Sequence, residues 1–232
     1  MKTIGLIGGM SWESTSLYYS AINRGIKQAL GGLHSAKICL ISVDFHEIEQ
    51  LQHQGEWQKT ADILVRAAQA VEAGGADLFL ICTNTMHKVA AEVQAAVAIP
   101  MLHIADATAQ VLLADGINRV GLLGTAFTMQ QDFYKGRLVN DFAIEVLVPN
   151  AEQQALVHQV IYQELCLGHI NAAAKKNYID IIQDLRYQGA QAVILGCTEI
   201  TLLLQQKDTQ VRLYDTTAIH AQSAVAAALD CP

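Results

Sequence analysis

Proline is nearly missing from this chain, at 3 of 232 residues, and its 16 glycines are spread along it rather than gathered. That excludes a long flexible linker. Charge is also scarce: 16% of residues are charged against 52% hydrophobic. A chain of this balance can bury a sizeable core, which excludes general disorder. Lys and Arg number 15 against 22 Asp and Glu, a formal net charge of -7, and the pI is near 5.5. An acidic surface repels phosphate backbones, so nucleic acid is not expected as a partner. A locally electropositive pocket for an anionic substrate remains compatible with it. No apolar run reaches the roughly 18 residues that span a bilayer, so no membrane partner is expected. The opening MKTIGLIGGMSWES has an apolar stretch too short for a signal-peptide core and lacks a small-residue cleavage site. It reads as a first β-strand.

Five cysteines are present, Cys39, Cys82, Cys166, Cys197 and Cys231. The number is odd, the spacing is wide and no CxxC pair occurs. Neither a structural zinc site nor a disulfide framework is expected. A reducing cytoplasm fits this usage, with most of the cysteines serving as small buried hydrophobes.

What the chain does have is an internal repeat. TIGLIGGMS at Thr3–Ser11 is echoed by RVGLLGTAFT at Arg119–Thr128, and GADLFLICTNTMH at Gly75–His87 by GAQAVILGCTEIT at Gly189–Thr201. Gly5 and Gly8 recur as Gly121 and Gly124. Gly75 and Thr83 recur as Gly189 and Cys197, at nearly the same spacing. Tyr18-Tyr19 corresponds roughly to Phe133-Tyr134. Three matches at nearly one offset indicate a duplicated unit.

Local patterns agree. Ile63, Leu64, Ala67, Ala68 and Val71 share one helical face within Lys59–Ala73, and Gly74-Gly75 ends that helix. From Asp77 the chain runs on apolar through Leu78–Cys82, as in a strand buried on both faces. In the second half Ile179, Ile182 and Leu185 sit at helical spacing, Gly189 follows, and Ala192–Leu195 is a buried strand. Helix-strand alternation implies parallel sheets with right-handed crossovers. The expected fold class is α/β, with two lobes related by a pseudo-two-fold, each a parallel sheet flanked by helices, and the site in the cleft between them. The first lobe is expected at 1–99 plus 214–232, including a helix near Thr217–Leu229 packed back on it, and the second at 100–213.

In open parallel sheets, ligands bind beyond the carboxyl ends of the strands. Four polar clusters are expected at such ends: Gly8–Glu13, Cys82–His87, Gly124–Thr128 and Gly196–Glu199. Two facing copies suit inversion of a stereocentre, which needs a base on one face of the carbon and an acid on the other. Cys197, at the start of a strand-to-helix turn, could serve as a thiolate if backbone amides and the helix start stabilise it. GLIGGM lacks the G-x-G-x-x-G spacing of a dinucleotide site. His34, His46, His53 and His103 show no metal-ligand spacing, His220 falls in the last helix, and Lys88 carries no Schiff-base signature. His87, four residues past Thr83, suits a capping or supporting role.

GLIGGMSWEST, CTNTMH, GT followed by Thr128, and GCTEI, in this order over essentially the whole chain, resemble the aspartate/glutamate racemase family. The resemblance implies two α/β lobes, no pyridoxal phosphate or other cofactor, no metal, and a homodimer. It also implies a pair of cysteines, in CNT of the first half and GCT of the second. Here the first position is Thr83, so the chain resembles a branch with threonine there. Cys82, one residue earlier, points to the opposite face of the strand and belongs to the core. Thr83 and Cys197 are therefore the expected catalytic pair. A threonine hydroxyl is a poor base, so proton removal by Cys197 is expected to be the competent direction. Met10, Ser11, Gln52, Asn84, Thr85, Thr128, Thr198 and Glu199 are the expected substrate-binding residues. The threonines would donate to the α-carboxylate, Asn84 would hold the α-amino or carboxylate end, and Glu199 would bind the ammonium or tune Cys197. Gln52, in LQHQGEW, would reach the substrate side chain. The expected substrate is aspartate or glutamate. A broader-specificity racemase, a related isomerase of the same superfamily and a non-catalytic amino acid sensor are the alternatives.

Overall fold

A computed structural model describes residues 1–230; Cys231 lies outside them. Strand and helix alternate along the chain. First come β1 (Ile4–Gly8), α1 (Trp12–Leu30), β2 (Ile38–Ser42), α2 (Phe45–Gln54), α3 (Trp57–Ala73), β3 (Leu78–Ile81), a 3-10 turn at Thr85–Val89 and α4 (Ala90–Ala95). Next are α5 (Ile104–Ala114), β4 (Arg119–Gly124), α6 (Ala126–Gln130), α7 (Asp132–Phe142), β5 (Glu145–Leu147) and α8 (Ala151–Gln163). The chain continues through a 3-10 turn at Leu165–Leu167, α9 (Ala172–Tyr187), β6 (Ala192–Gly196), α10 (Ile200–Leu203), a 3-10 turn at Gln206–Asp208, β7 (Arg212–Asp215) and α11 (Thr216–Leu229).

Two sheets result, both parallel: β2-β1-β3 and β5-β4-β6-β7. The chain divides into two compact units. One is Met1–Ile104 together with the chain from His220 on, and the other is Ala105–Ile219. The sequence suggested breaks after Ile99 and Leu213. The later break falls inside β7, which pairs with β6 and so stays with the second sheet.

The repeated glycines show why the same local plan recurs. α3 buries Leu64, Ala67, Ala68 and Val71, and α9 buries Tyr178, Ile181, Ile182 and Leu185. Each helix is followed by a glycine of positive φ, Gly75 at 83° and Gly189 at 102°. A side chain would be strained there, and glycine is not. Each glycine then leads into a fully buried strand, β3 or β6. β3 lies at the end of its sheet yet stays buried, because the Pro100–Leu102 segment runs along its outer edge. The Phe79 N–H donates to the Pro100 carbonyl at 3.0 Å, and the Leu102 N–H to the Phe79 carbonyl at 2.9 Å.

Strand alternation sorts the first unit's core into two layers. Ile7, Phe79 and Ile81 join Leu64, Ala68 and Val71 of α3 on one face. Ile4, Leu6, Leu78, Leu80 and Cys82 join Tyr18 and Ile22 of α1 and Ala221, Ala224 and Ala228 of α11 on the other. The second unit's core gathers Leu123, Val193 and Leu195 with Val157, Ile161, Ile182 and Leu185. Truncating a fully buried leucine such as Leu64 or Leu185 to alanine would cost about 2–5 kcal/mol.

Candidate active site

All four polar clusters follow directly on strand ends: β1, β3, β4 and β6. In the first unit, register brings two of them side by side, since Ile7 of β1 pairs with Ile81 of β3. Ser11 caps α1, accepting from the Ser14 N–H at 3.2 Å. The Ser14 hydroxyl then donates to the Cys82 carbonyl at 3.2 Å, tying the GGMS turn to the CTNT turn. Thr15 fastens the first turn: its hydroxyl donates to the Ser11 carbonyl and accepts from the Gly9 N–H, both at 2.8 Å. Only glycine fits beneath it, because a Cβ on Gly8 would come within 2.3 Å of the Thr15 methyl.

Cys82 is fully buried in the layer shared with α1 and α11, and burial pushes its thiol far up. Thr83, next along, is half-buried. Asn84 and Thr85 are buried beside it. Met10 packs among the apolar residues of the α3 layer, with Met86 from the turn after Thr83. Gln52, buried on α2, reaches that same turn, its Nε2 donating to Met86 Sδ at 3.0 Å. Met10, Ser11, Thr83, Asn84 and Thr85 thus belong to adjoining turns of one unit, and the Gln52 side chain reaches them from α2.

In the second unit Gly124 pairs with Gly196, so the ends of β4 and β6 lie side by side. Cys197 is half-buried and its Sγ donates to Glu199 Oε2 at 2.9 Å. Burial first, then the Glu199 charge, pushes the thiol well above its ordinary value. The sequence suggested the reverse, a thiolate favoured by a helix start. The helix that follows, α10, is a single turn and carries little dipole, while a carboxylate sits on the sulfur. Thr198 shares a 2.8 Å hydrogen bond with the Thr217 hydroxyl, and Thr216 donates to the Leu195 carbonyl at 2.9 Å. Thr128 is fully buried and paired with Thr125 at 3.2 Å through their hydroxyls.

Several supporting residues escape the sequence reading. Ser14 and Thr15 are signalled only by their spacing after Ser11, as a capped first turn. Thr125 precedes α6 as an N-cap, and Thr217 stands in a Thr-Thr pair after β7; neither spacing reveals its partner. Among the described residues no group of three or more His, Cys, Asp or Glu is placed to hold a metal ion. No helix among them is long and apolar enough to cross a membrane.

The fold and these turns define a class, and comparison with known proteins gives it a name. The Asp/Glu/Hydantoin racemase family model matches residues 7–224. A crystal structure of a candidate Asp/Glu racemase from Yersinia pestis is 53% identical, covers 99% of this chain and 100% of its own, and superposes with a TM-score of 0.94. An aspartate racemase homologue from Pyrococcus horikoshii is 35% identical over 98% of this chain and 99% of its own, with a TM-score of 0.85. A broad specificity amino-acid racemase from Bacillus subtilis is 25% identical over 96% of each chain. The chain belongs to the Asp/Glu/Hydantoin racemase family. It is an enzyme of the racemase class, an isomerase.

Proposed function

We propose that the protein is a cofactor-independent racemase of a small acidic amino acid, aspartate or glutamate, in which Thr83 and Cys197 serve opposite faces of the substrate. The observation that carries the reading is the Cys197–Glu199 contact, at the strand end whose counterpart in the repeat holds Thr83. The α-proton of an amino acid is very weakly acidic, so a useful base must bind protons strongly. A thiol pushed up by burial and by Glu199 ionises reluctantly, but its thiolate is the stronger base for that reason. The Glu199 carboxylate accepts the hydrogen bond of the thiol.

On the other face, no carboxylate among the described residues is placed on the Thr83 hydroxyl, and a hydroxyl forms its alkoxide far less readily than a thiol forms its thiolate. Near neutral pH it is therefore a neutral group, a poor base that can still donate or relay a proton. Abstraction by Cys197 is therefore fast, abstraction from the Thr83 side slow, and the equilibrium unchanged. Met10, Ser11, Gln52, Asn84 and Thr85 form the substrate surface on the Thr83 side, and Thr128, Thr198 and Glu199 that on the Cys197 side. The working form is a homodimer in the cytoplasm, which light scattering on eluted protein tests for its assembly.

The deciding experiment follows α-deuterium incorporation and chirality by proton NMR in D₂O. It uses L- and D-aspartate and L- and D-glutamate, with no added cofactor. Exchange with inversion, abolished in Cys197→Ala, supports the reading. Exchange confined to other amino acids moves the substrate to a broader class. Tight binding of aspartate or glutamate with no exchange at all favours an amino acid sensor.

A further inference from the structure

Beneath Thr83 lies a buried group that the proposed proton transfers do not use: His87, His103, His220 and Tyr18, all within the first unit. The His103 and His220 rings meet the His87 ring edge-on, with centroids at 4.6 and 5.9 Å. Backbone partners fix the protons. The Ile104 N–H approaches His87 Nε2 at 3.3 Å. A backbone amide only donates, so Nε2 must be the unprotonated nitrogen and Nδ1 carries the hydrogen. That Nδ1–H donates to the Thr83 carbonyl at 2.8 Å. The same logic runs the other way at His220: its Nε2 faces the Leu102 carbonyl at 2.8 Å and must carry the hydrogen, leaving Nδ1 to accept from the Tyr18 hydroxyl at 2.9 Å.

His87 therefore ties the backbone of Thr83 to Ile104, at the end of the segment that edges β3. Thr83 stands just past the last residue pairs of β3, and the 3-10 turn begins two residues on. No ladder bond fixes the Thr83 carbonyl. Among the described residues, the His87 imidazole is its hydrogen-bond partner.

We propose that His87 is a positioning residue for Thr83: as a neutral Nδ1–H imidazole it sets the peptide plane of Thr83 and thereby where the hydroxyl stands. This rests on the reading of Thr83 as a proton-transfer group. Misplacing a reacting group by an ångström costs roughly 100-fold, so the loss should show in turnover rather than in binding.

The test measures α-deuterium exchange starting from each enantiomer separately in full-length His87→Ala and His87→Asn, with thermal melts alongside. His87→Ala is expected to slow the enantiomer whose proton leaves toward Thr83 by roughly 10–100-fold more than the other, in kcat with KM little changed. His87→Asn keeps an amide donor and should recover part of the loss. Equal slowing of both enantiomers, or of neither, overturns the inference. If His87→Ala does not fold, His87→Asn and the wild-type ring decide. Long-range ¹H–¹⁵N spectra near pH 7 should show His87 as the Nδ1–H tautomer, and the Nε2–H tautomer overturns the proposal regardless of activity. Thr83→Ala separates the two claims. If it slows neither enantiomer, the reading of Thr83 fails; if it is selective and His87→Ala is not, only the role of His87 fails.

Discussion

The turns after β3 and β6 occupy the same place in the repeat but hold their key residues by opposite means. At Cys197 the side chain is engaged, with a carboxylate on the sulfur. At Thr83 the backbone is engaged, with an imidazole on the carbonyl. One arrangement changes how strongly an atom binds its proton. The other changes only where an atom stands. A duplicated framework can thus keep two strand ends in register while giving them unequal chemistry. The asymmetry comes from neighbours two and four residues along, not from the strands.

Removing the sulfur tests this contrast most severely. Cys197→Ala should lower α-proton exchange by roughly 10²–10⁴-fold, read by NMR in D₂O; near wild-type exchange would leave the second turn with no special role. Removing the charge instead of the sulfur is gentler. In Glu199→Gln the thiolate no longer faces a negative neighbour, so the thiol should ionise at lower pH and become a weaker base. The pH midpoint of iodoacetamide alkylation should move down, with exchange reduced roughly 10-fold; a midpoint that moves up would mean that Glu199 does not act through its charge. Equalising the two turns should sharpen the point further. Thr83→Cys should speed the slower direction and narrow the difference between L and D substrates, and an unchanged ratio would place the asymmetry elsewhere.

The glycines of the repeat offer a comparison in stability. A Cβ at Gly8 would meet Thr15 at 2.3 Å, whereas at Gly124 the nearest atom is the Gly196 carbonyl oxygen at 3.0 Å. Urea unfolding should give Gly8→Ala a loss of about 2–3 kcal/mol and Gly124→Ala roughly 1 kcal/mol. Thr15 cannot yield without releasing the Gly9 and Ser11 bonds. The smallest expected effect is acid sensitivity. Burial pulls His220 down to about 3, against 6.5 for the exposed ring. A histidine held neutral in the fold stabilises fully above its unfolded value. That stability is lost as pH falls, because the unfolded chain takes up the proton first. Between pH 7.5 and 5.5 the wild type should lose about 1 kcal/mol more than His220→Gln.

Much of this was legible in the sequence. The repeat located both buried strands, both positive-φ glycines and the four polar turns, because backbone requirements leave glycines and apolar runs at fixed spacing. Cys82 was assignable to the core by strand alternation once the resemblance had put Thr83 at the first catalytic position. The direction in which Cys197 is pushed was not legible: it depends on a carboxylate rotamer two residues away and on α10 stopping after one turn. Nor was the pairing of Thr198 with Thr217, or of His87 with Ile104. Such contacts join segments whose spacing carries no period, and only packing reveals them.

The second unit interrupts the first, since the chain enters it at Ala105 and leaves it at Ile219. A ribosome therefore releases the whole interrupting unit before it releases Ala221, Ala224 and Ala228, which complete the layer against Ile4, Leu6 and Tyr18. During synthesis the first unit must wait with an open apolar face while the later-made unit can already close. A chain arrested near Thr217 would carry a finished Cys197 turn beside an unfinished half, and would be a client for chaperones rather than a partial enzyme.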